Sequence, residues 1–281
     1  MTEVRVFDRV EDVSKLMGCN TRNVEYRWSI FRKYLDSVSP GSNVLDFGAG
    51  SLRDSHELAV LGYNVTSVDM DEALLSSYRA DYNWPSNGMT HRIVGGSDPA
   101  ESLAKISGDK FSLVTCFDVL EHLDNPTPIL ELLGSHMAAD GKMFITVPNG
   151  RTLFELAFRA DLLIARATKR RLQPGEAHLQ LNSPSQWRRL IEGAGLKVLA
   201  HDMQIGAVVN TSFALVQLPV LLLCRVLNRF GMRFDGAAIS SRICNPKLMS
   251  ALDRFDKVSK PALRNMYGWN LFVVSRRDSA D

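Results

Sequence analysis

Short apolar runs alternate with helical patterns along the first half of the chain. Strands are predicted where apolar residues cluster between turn residues, and helices where they recur every three or four positions. The predicted strands are 43–47, 64–69, 92–94, 111–117 and 142–147, with a helix over about 128–138 before the last of these. Strands separated by single helices indicate right-handed βαβ units and a parallel sheet. We therefore expect an α/β fold with a Rossmann-like, doubly wound sheet.

The second half resumes this alternation after a gap. Ser183 and Pro184 begin a helix in the manner of a capped N-terminus, and strands are predicted at 196–203 and 270–275. We expect one domain with two insertions that leave strand ends. Its segments are leading helices 1–41, a core 42–149, an insertion 150–182, a helix and strand 183–203, an apolar insertion 204–268, and a last strand and tail 269–281.

The composition is that of a globular protein of ordinary type. Of 281 residues, 45% are apolar and 23% charged, which excludes a disordered, collagen-like or polytopic membrane chain. The net charge of +2 argues against nucleic-acid binding by bulk charge. The four cysteines are far apart, without the spacing of a zinc site or a disulfide framework. The start of the chain has no apolar signal segment, so we expect a reducing, cytoplasmic environment.

A glycine-rich turn follows the first predicted strand. VLDFGAGS places Asp46, Gly48 and Gly50 where a strand gives way to a helix, and glycine there lets a ligand approach the backbone. Asp69 ends the second strand, where a carboxylate can accept hydrogen bonds from ribose hydroxyls. Together they indicate a nucleoside-containing cofactor, although a plain tight turn and a helix-capping Asp69 would give the same pattern.

Two classes of cofactor fit such a turn. The dinucleotide fingerprint GxGxxG needs a third glycine, but this chain has Arg53 at that position. S-adenosylmethionine has no pyrophosphate and carries a positive sulfonium, which Asp46 suits. The residues therefore favour S-adenosylmethionine over a dinucleotide.

The sequence also resembles the class I S-adenosylmethionine-dependent methyltransferases over about residues 42–202 and the last strand. The resemblance rests on VLDFGAGSLRDSHELAVLGYNVTSVDMDEALL, FSLVTCFDVLEHLDNP, GKMFITVPNG and HLQLNSPSQWRRLIEGAGLKV. The last of these is similar to the subgroup that acts on small-molecule, quinone and sugar hydroxyls. Leu52 replaces the third glycine of the family's DxGxGxG. The resemblance implies a seven-stranded sheet whose last strand is antiparallel.

The resemblance also implies roles for single residues. Gly48 and Gly50 would lie beside the methionine part of the cofactor, and Asp46 would fix the conformation of their loop. Asp69 would bind the ribose hydroxyls. The remaining implied cofactor contacts are Met70 at the adenine face, Ser97 and Asp98 at the adenine amino group, and Phe117 and Asp118 at the methionine end. Tyr26 and Arg27 in the leading helix would either close over the cofactor or pack within the helix.

Three side chains are candidates for a general base. Glu121 and His122 follow the fourth strand, and His178 ends the first insertion. Histidine titrates near neutral pH and suits proton transfer from a hydroxyl. Each residue also has a structural interpretation, as a brace of the next turn or as a satisfied loop histidine. No metal-ligand pattern accompanies them, so we expect no metal in the reaction.

The second insertion begins with an uncharged stretch, 203–224. It is long enough to cross a bilayer, but Asn210, Gln217 and Pro219 disfavour a span. A buried lid or dimer helix and a lipid-binding element remain as alternatives. The basic run of Arg166, Lys169, Arg170 and Arg171 is either a solvated helix face or a site of contact with anionic lipid. We therefore keep peripheral membrane association as a hypothesis.

The function we expect is S-adenosylmethionine-dependent methylation of a hydroxyl on a small-molecule, lipid-linked or sugar acceptor. The alternatives are an N- or C-methyltransferase of the same fold and a non-catalytic partner protein with that fold. A nucleotide-dependent oxidoreductase is disfavoured by Arg53. The sequence does not specify the acceptor or the oligomeric state.

Overall fold

The chain divides into two compact units. The computed structural model describes residues 27–277, except 29–30, 33, 36, 86–87, 264–265 and parts of the stretches 154–177 and 204–245. The sheet unit comprises Phe31–Pro148, Gln173–Asp202 and Asn270–Asp281. The insertion unit comprises Met1–Ile30, Asn149–Leu172 and Met203–Trp269. The single-domain organisation with two insertions stays a prediction.

Strands and helices alternate through most of the described residues. In chain order they are β1 (Asn43–Phe47), α1 (Arg53–Val60), β2 (Asn64–Asp69), α2 (Glu72–Asp81), β3 (His91–Gly95), α3 (Pro99–Ala104), β4 (Phe111–Phe117), a 3-10 turn (Leu120–His122), α4 (Thr127–His136), β5 (Met137–Pro148), α5 (Pro184–Gly193), β6 (Leu196–Met203), α6 (Ala207–Ser212), α7 (Pro246–Leu263) and β7 (Trp269–Arg276).

The seven strands form one mixed sheet in the order β3-β2-β1-β4-β5-β7-β6. The pairs from β3 to β5 are parallel. β7 is antiparallel to its neighbours β5 and β6, as two hydrogen bonds indicate. The Asn270 side chain at the start of β7 donates to the Val147 carbonyl at the end of β5, and the Arg277 amide just after β7 donates to the Gly195 carbonyl just before β6. The expected seven-stranded, Rossmann-like sheet with an antiparallel last strand is confirmed.

The central strands are buried because their side chains are apolar on both faces. β4, with the sequence FSLVTCF, has a single residue that is not fully buried, as a strand covered on both sides by helices requires. Trp187 of α5 is fully buried, and its indole Nε1 donates to the Pro148 carbonyl at 3.0 Å. A capping box between Ser183 and Gln186 begins α5, as predicted from the sequence.

The leading segment contributes aromatic contacts to the sheet unit. Phe31 is fully buried and packs edge to face on Phe144 and Phe117, with ring centroids 4.6 and 5.7 Å away. Arg27 belongs to the insertion unit and is 3% exposed. Tyr26 lies outside the described residues. The idea that these two residues close over the cofactor stays a prediction.

A buried carboxylate holds the insertion unit together. Asp256 of α7 is 1% exposed and accepts hydrogen bonds from the amides of Val208 and Val209, at 2.8 and 2.9 Å. Gly206 permits this approach, since a Cβ there would lie 2.0 Å from the Asp256 carboxyl carbon. Tyr267 donates its hydroxyl to the Asp256 carbonyl. The contact brings the amino end of α6 against the middle of α7.

Some predicted boundaries were wrong by a few residues. β5 begins at Met137, not at 142, and α4 ends at His136, not at 138. Met137 pairs with Phe111 across a register shift near the start of β4, and this pairing extends the strand at the expense of the helix. The short helix α3 was missed because only Ser102 and Leu103 are buried, which gives almost no apolar periodicity.

The uncharged stretch contains a short helix, α6, in its described part. Within the residues that the structure describes, no helix combines the length and apolarity needed to cross a bilayer. The basic run 169–171 and Arg166 lie outside the described residues.

Candidate active site

The candidate site lies at the carboxyl ends of β1, β2 and β4. β1 and β4 are neighbours, but the chain continues from β1 towards β2 and β3, and from β4 towards β5. The connections after β1 and β4 therefore leave in opposite directions and open a crevice, which is where ligands bind in doubly wound sheets. One side of this crevice is the glycine-rich turn, and the other begins with Asp118.

The glycine turn packs directly against the opposite side of the crevice. The amides of Gly48 and Ala49 both donate to the Val68 carbonyl, at 2.8 and 3.1 Å. Gly48 has φ 73°, and a Cβ there would lie 2.1 Å from Cγ2 of Val119. Glycine is therefore required both by the backbone conformation and by Val119.

Gly50 is open where Gly48 is crowded. Its φ is 50°, and a Cβ added at this position would have the Gly48 carbonyl as its nearest neighbour, at 3.9 Å. Leu52, at the family's third glycine position, also has a left-handed backbone with φ 59° and is fully buried. The strain of about 1–2 kcal/mol is offset by burial of its side chain. The turn thus keeps its shape without the third glycine.

Asp69 joins the tip of β2 to the glycine turn. Its Oδ2 accepts the Gly50 amide at 2.8 Å, and its Oδ1 accepts the Met70 amide at 2.7 Å. A carboxylate oxygen can accept two hydrogen bonds, so each oxygen keeps one acceptor position. Asp69 is partly exposed, and the Met70 side chain is 41% exposed. Asp69 can therefore bind hydroxyl groups while it holds the turn.

Asp46 is anchored within the fold. It is 3% exposed, and its two oxygens accept hydrogen bonds from Ser55 Oγ at 2.5 Å and Thr115 Oγ1 at 2.7 Å. Ser67 Oγ donates in turn to Ser55 Oγ at 2.7 Å. Because a hydroxyl has one proton, the 2.8 Å contact between Ser67 Oγ and His91 Nε2 requires the imidazole to donate. Asp46 thus ties β1 to α1 and β4, and its contact with a cofactor stays a prediction.

Ser97 and Asp98 are used in the cap of α3. The Asp98 carboxylate accepts the Glu101 amide at 2.9 Å, and the Glu101 carboxylate accepts the Ser97 amide at 2.7 Å. The Ser97 hydroxyl, which also donates to the Glu101 carboxylate, and the Ser97 amide lower the pKa of Glu101. Both residues are exposed, and their predicted contact with an adenine amino group remains untested by this geometry.

Phe117 is the last residue of β4, and Asp118, which follows it, has different surroundings. Phe117 is 9% exposed and packs on Phe31. Asp118 has φ 58°, an unusual conformation for a residue other than glycine. Its Oδ1 accepts the Thr146 hydroxyl at 2.7 Å, and its amide donates to the Thr146 carbonyl at 3.0 Å. These two bonds hold Asp118 at the edge of the crevice.

The fold brings the three candidate bases together. The amides of Leu179 and Gln180 donate to the Glu121 carbonyl, at 2.7 and 3.0 Å, and pin the segment after His178 to the 3-10 turn. The rings of His122 and His178 then lie 5.1 Å apart. Glu121 is fully buried, with Oε1 4.0 Å from Nε2 of His122.

This Glu121–His122–His178 cluster can do more than one kind of chemistry. One ligand atom from each residue lies within 4.8 Å of the others, which suits a shared proton and also a cation. The expectation that no metal takes part stays a prediction. The sequence pointed to all three residues, but only the backbone bonds of Glu121 explain why they meet.

Comparison with known proteins gives the family. A model described as a methyltransferase domain matches residues 21–201, more than half of the chain. The chain belongs to this family. The ubiquinone biosynthesis O-methyltransferase of Xanthomonas axonopodis pv. citri (strain 306) is 30% identical over 159 residues, 56% of this chain and 64% of that protein. The match thus spans less than two thirds of that relative.

Solved structures share the fold of this methyltransferase domain at low identity. Magnesium protoporphyrin IX methyltransferase from Synechocystis PCC 6803, with bound SAH, gives a TM-score of 0.51 at 15% identity over 93% of this chain and 84% of that chain. The [4+2]-cyclase SpnF gives a TM-score of 0.50 at 12% identity over 86% and 76%. A fold that a cyclase shares does not by itself specify methyl transfer.

Sequence reasoning missed the hydroxyl chain beneath the site. Ser55, Ser67 and Thr115 are fully buried polar residues on α1, β2 and β4. Serine and threonine are frequent in such elements for many reasons, and nothing in their spacing relates them to Asp46. Their meeting depends on the register of β1 with β2 and β4, which pairs Asp46 with both Ser67 and Thr115.

The hydroxyl chain predicts a pH dependence of stability. Burial, with Arg79 and His56 nearby, lowers the pKa of His91 from 6.5 to about 4. Between those values the unfolded chain binds a proton that the folded chain does not, so the free energy of unfolding falls as pH decreases from 6.5 to about 4. His91→Phe should remove this part of the fall, as measured by urea unfolding at a series of pH values.

A second buried group, Glu57, should make the free energy of unfolding fall as pH rises, opposite to the effect of His91. Burial, with Asp54 nearby, raises the pKa of Glu57 from 4.5 to about 7. The carboxyl of the unfolded chain ionises at a lower pH than that of the folded chain. The contribution of Glu57 to the free energy of unfolding is therefore lost as pH rises from 4.5 to about 7. Glu57→Gln should therefore gain stability relative to the parent as pH rises from 4.5 to 7, as measured by the same urea unfolding series.

For the first variant, parallel curves of the free energy of unfolding against pH for the parent and His91→Phe would show that His91 is not buried as described.

Proposed function

We propose that this chain is an S-adenosylmethionine-dependent methyltransferase that methylates a hydroxyl group of a small molecule. The observation that carries the proposal is Asp69, which keeps acceptor positions at the tip of β2 while it holds the open turn at Gly50. Family membership supports methyl transfer, and the name of the Xanthomonas relative supports an oxygen acceptor.

The residues present fit such a cofactor. A ribose needs a carboxylate with room for two hydroxyls, which Asp69 offers. The open space beside Gly50 allows the cofactor to lie on the backbone, as a Cβ there would not. A dinucleotide is a poorer fit, since Arg53 begins α1 where a third glycine would let helix and strand pack closely.

The protein's own contribution to the reaction is alignment and proton transfer. When bound, the cofactor supplies a methyl group on a sulfonium, so the chain must hold the acceptor oxygen in line with it. His122 or His178 accepts the hydroxyl proton. The buried Glu121 carboxylate, 4.0 Å from His122, stabilises the imidazolium that forms.

Two alternatives remain, each with its own support. An N- or C-methyltransferase would use the same cofactor site with another acceptor. A non-catalytic partner protein of this fold is supported only in that the likeness to the cyclase SpnF shows the fold to occur without a methyltransferase name. Isothermal titration with S-adenosylhomocysteine separates the second alternative from the first, because only a methyltransferase needs to bind the spent cofactor.

Asp69→Ala should weaken the binding of S-adenosylhomocysteine at least tenfold. Hydrogen bonds to a charged group contribute about 1.5–3 kcal/mol each, and about 1.4 kcal/mol corresponds to a factor of ten. Isothermal titration measures the loss, and thermal unfolding checks that the variant is folded. Asp69→Asn, which still offers one oxygen to the Gly50 amide, should lie between the parent and the alanine variant.

Asp109→Ala is the matched control for Asp69. Asp109 is an exposed carboxylate that pairs with Arg92. Arg92 is at the amino end of β3, whereas the candidate site is at the carboxyl ends of the strands, so the loss of Asp109 should leave cofactor affinity unchanged. Failure of the parent chain to bind S-adenosylhomocysteine would overturn the proposed cofactor and favour the non-catalytic alternative.

The base is identified by a second set of variants. Cell extract incubated with the protein and methyl-labelled cofactor, followed by mass spectrometry, first identifies the acceptor. His122→Gln and His178→Gln are then compared, and the residue that acts as base should lower kcat by about 10²- to 10⁴-fold. The affinity of that variant for S-adenosylhomocysteine should equal that of the parent protein. Full kcat in both variants would contradict general-base catalysis.

We also propose that the insertion unit contacts lipid. Several large apolar side chains of this unit are exposed, including Phe230 at 78%, Leu215 at 65% and Val258 at 84%. Together with the basic run of the sequence, they suit an anionic membrane surface. The purified protein should sediment with anionic vesicles and less with neutral ones. Absence of the protein from the pellets of both kinds of vesicle would contradict the proposed lipid contact.

A further inference from the structure

Arg53 occupies a distinctive place on the glycine-turn side of the crevice. It is the first residue of α1, directly after the left-handed Leu52. Its side chain is 21% exposed, and Nη2 lies 3.1 Å from the Asp54 carboxylate. Nε is buried, and no acceptor among the described residues lies within hydrogen-bond distance of it. A guanidinium has five donors in a planar fork, so Asp54 leaves most of its capacity for another planar anion.

Carboxylates from both sides of the crevice affect the pKa of Arg53. Burial lowers the pKa of Arg53, but the carboxylates of Asp54 and Asp118 outweigh burial and raise it above its ordinary value. Tyr82, which also faces Arg53, hydrogen-bonds Ser51 of the glycine turn. The Arg53 guanidinium, from the β1 side, is thus within electrostatic range of the Asp118 carboxylate, from the β4 side.

The amino-acid end of the proposed cofactor has matching chemistry. It has one carboxylate and one ammonium group, and the rest of the molecule has no anionic group. With the ribose at Asp69, this end would have to be held by other groups beside the glycine turn. Arg53 offers a planar donor pair that suits a carboxylate, and Asp118 offers an opposite charge for the ammonium.

We propose that Arg53 binds the α-carboxylate of the cofactor's amino acid and makes the site selective for cofactors that carry this group. The inference rests on the proposed function of the site. Arg53 is then a binding residue and not merely a replacement for the third glycine.

A comparison of two ligands tests this role by binding alone. S-adenosylhomocysteine and its decarboxylated analogue, 5′-(3-aminopropylthio)-5′-deoxyadenosine, differ only in the carboxylate. The parent protein should bind the first about 10- to 100-fold more tightly, as expected for one charge-assisted bidentate contact. Arg53→Gln should lose this preference, with affinity for the decarboxylated analogue unchanged. Arg53→Lys, which keeps the charge but not the fork, should retain part of it.

A matched arginine on the same sheet provides the control. Arg92→Gln removes an exposed guanidinium paired with Asp109, and it should leave both affinities and their ratio unchanged. Thermal unfolding of each variant establishes that it is folded. If Arg53→Gln weakens both ligands equally, Arg53 only supports the turn, and the proposal is overturned. It is also overturned if the full preference persists in Arg53→Gln.

The same titrations separate this inference from the proposed function. A parent protein that binds both ligands equally contradicts the role of Arg53 but leaves the cofactor site intact. A parent protein that binds neither ligand contradicts the cofactor site and the role of Arg53 together.

Discussion

The buried carboxylate of Asp46 is the interaction on which the candidate site depends. It is held by Ser55 of α1 and Thr115 of β4, so that the end of β1 is tied to the helix after it and to the strand beside it. A buried charge needs such donors, since without them its desolvation would be costly. The glycine turn begins two residues later, and its position follows from this anchor.

The turn is then shaped by steric contact and one further carboxylate. Val119 covers Gly48 from the opposite side of the crevice, while Asp69 holds the Gly50 amide from β2. One glycine is therefore closed and the other open. This division leaves open space beside Gly50 for the cofactor that we propose, while burial of its side chain lets Leu52 stand at the third glycine position.

The second half of the site is built by contacts between distant segments. His178 follows a long insertion, yet two backbone hydrogen bonds to the Glu121 carbonyl place it beside His122. Backbone bonds of this kind do not depend on side-chain identity, so they leave no signal in the sequence. The same is true of Arg53, whose relation to Asp118 arises from the neighbouring positions of β1 and β4 in the sheet.

By itself the sequence determined the alternation of strands and helices, the glycine turn, the acid at the tip of β2 and the resemblance to methyltransferases. These features are local, because a strand, a turn and a helix cap each depend on residues close together in the chain. The tertiary structure alone decided that Asp46 is an anchor within the fold, that Glu121, His122 and His178 meet, and that Arg53 lies within electrostatic range of Asp118. Those outcomes depend on strand order and register, which bring residues far apart in the chain to the same edge of the sheet.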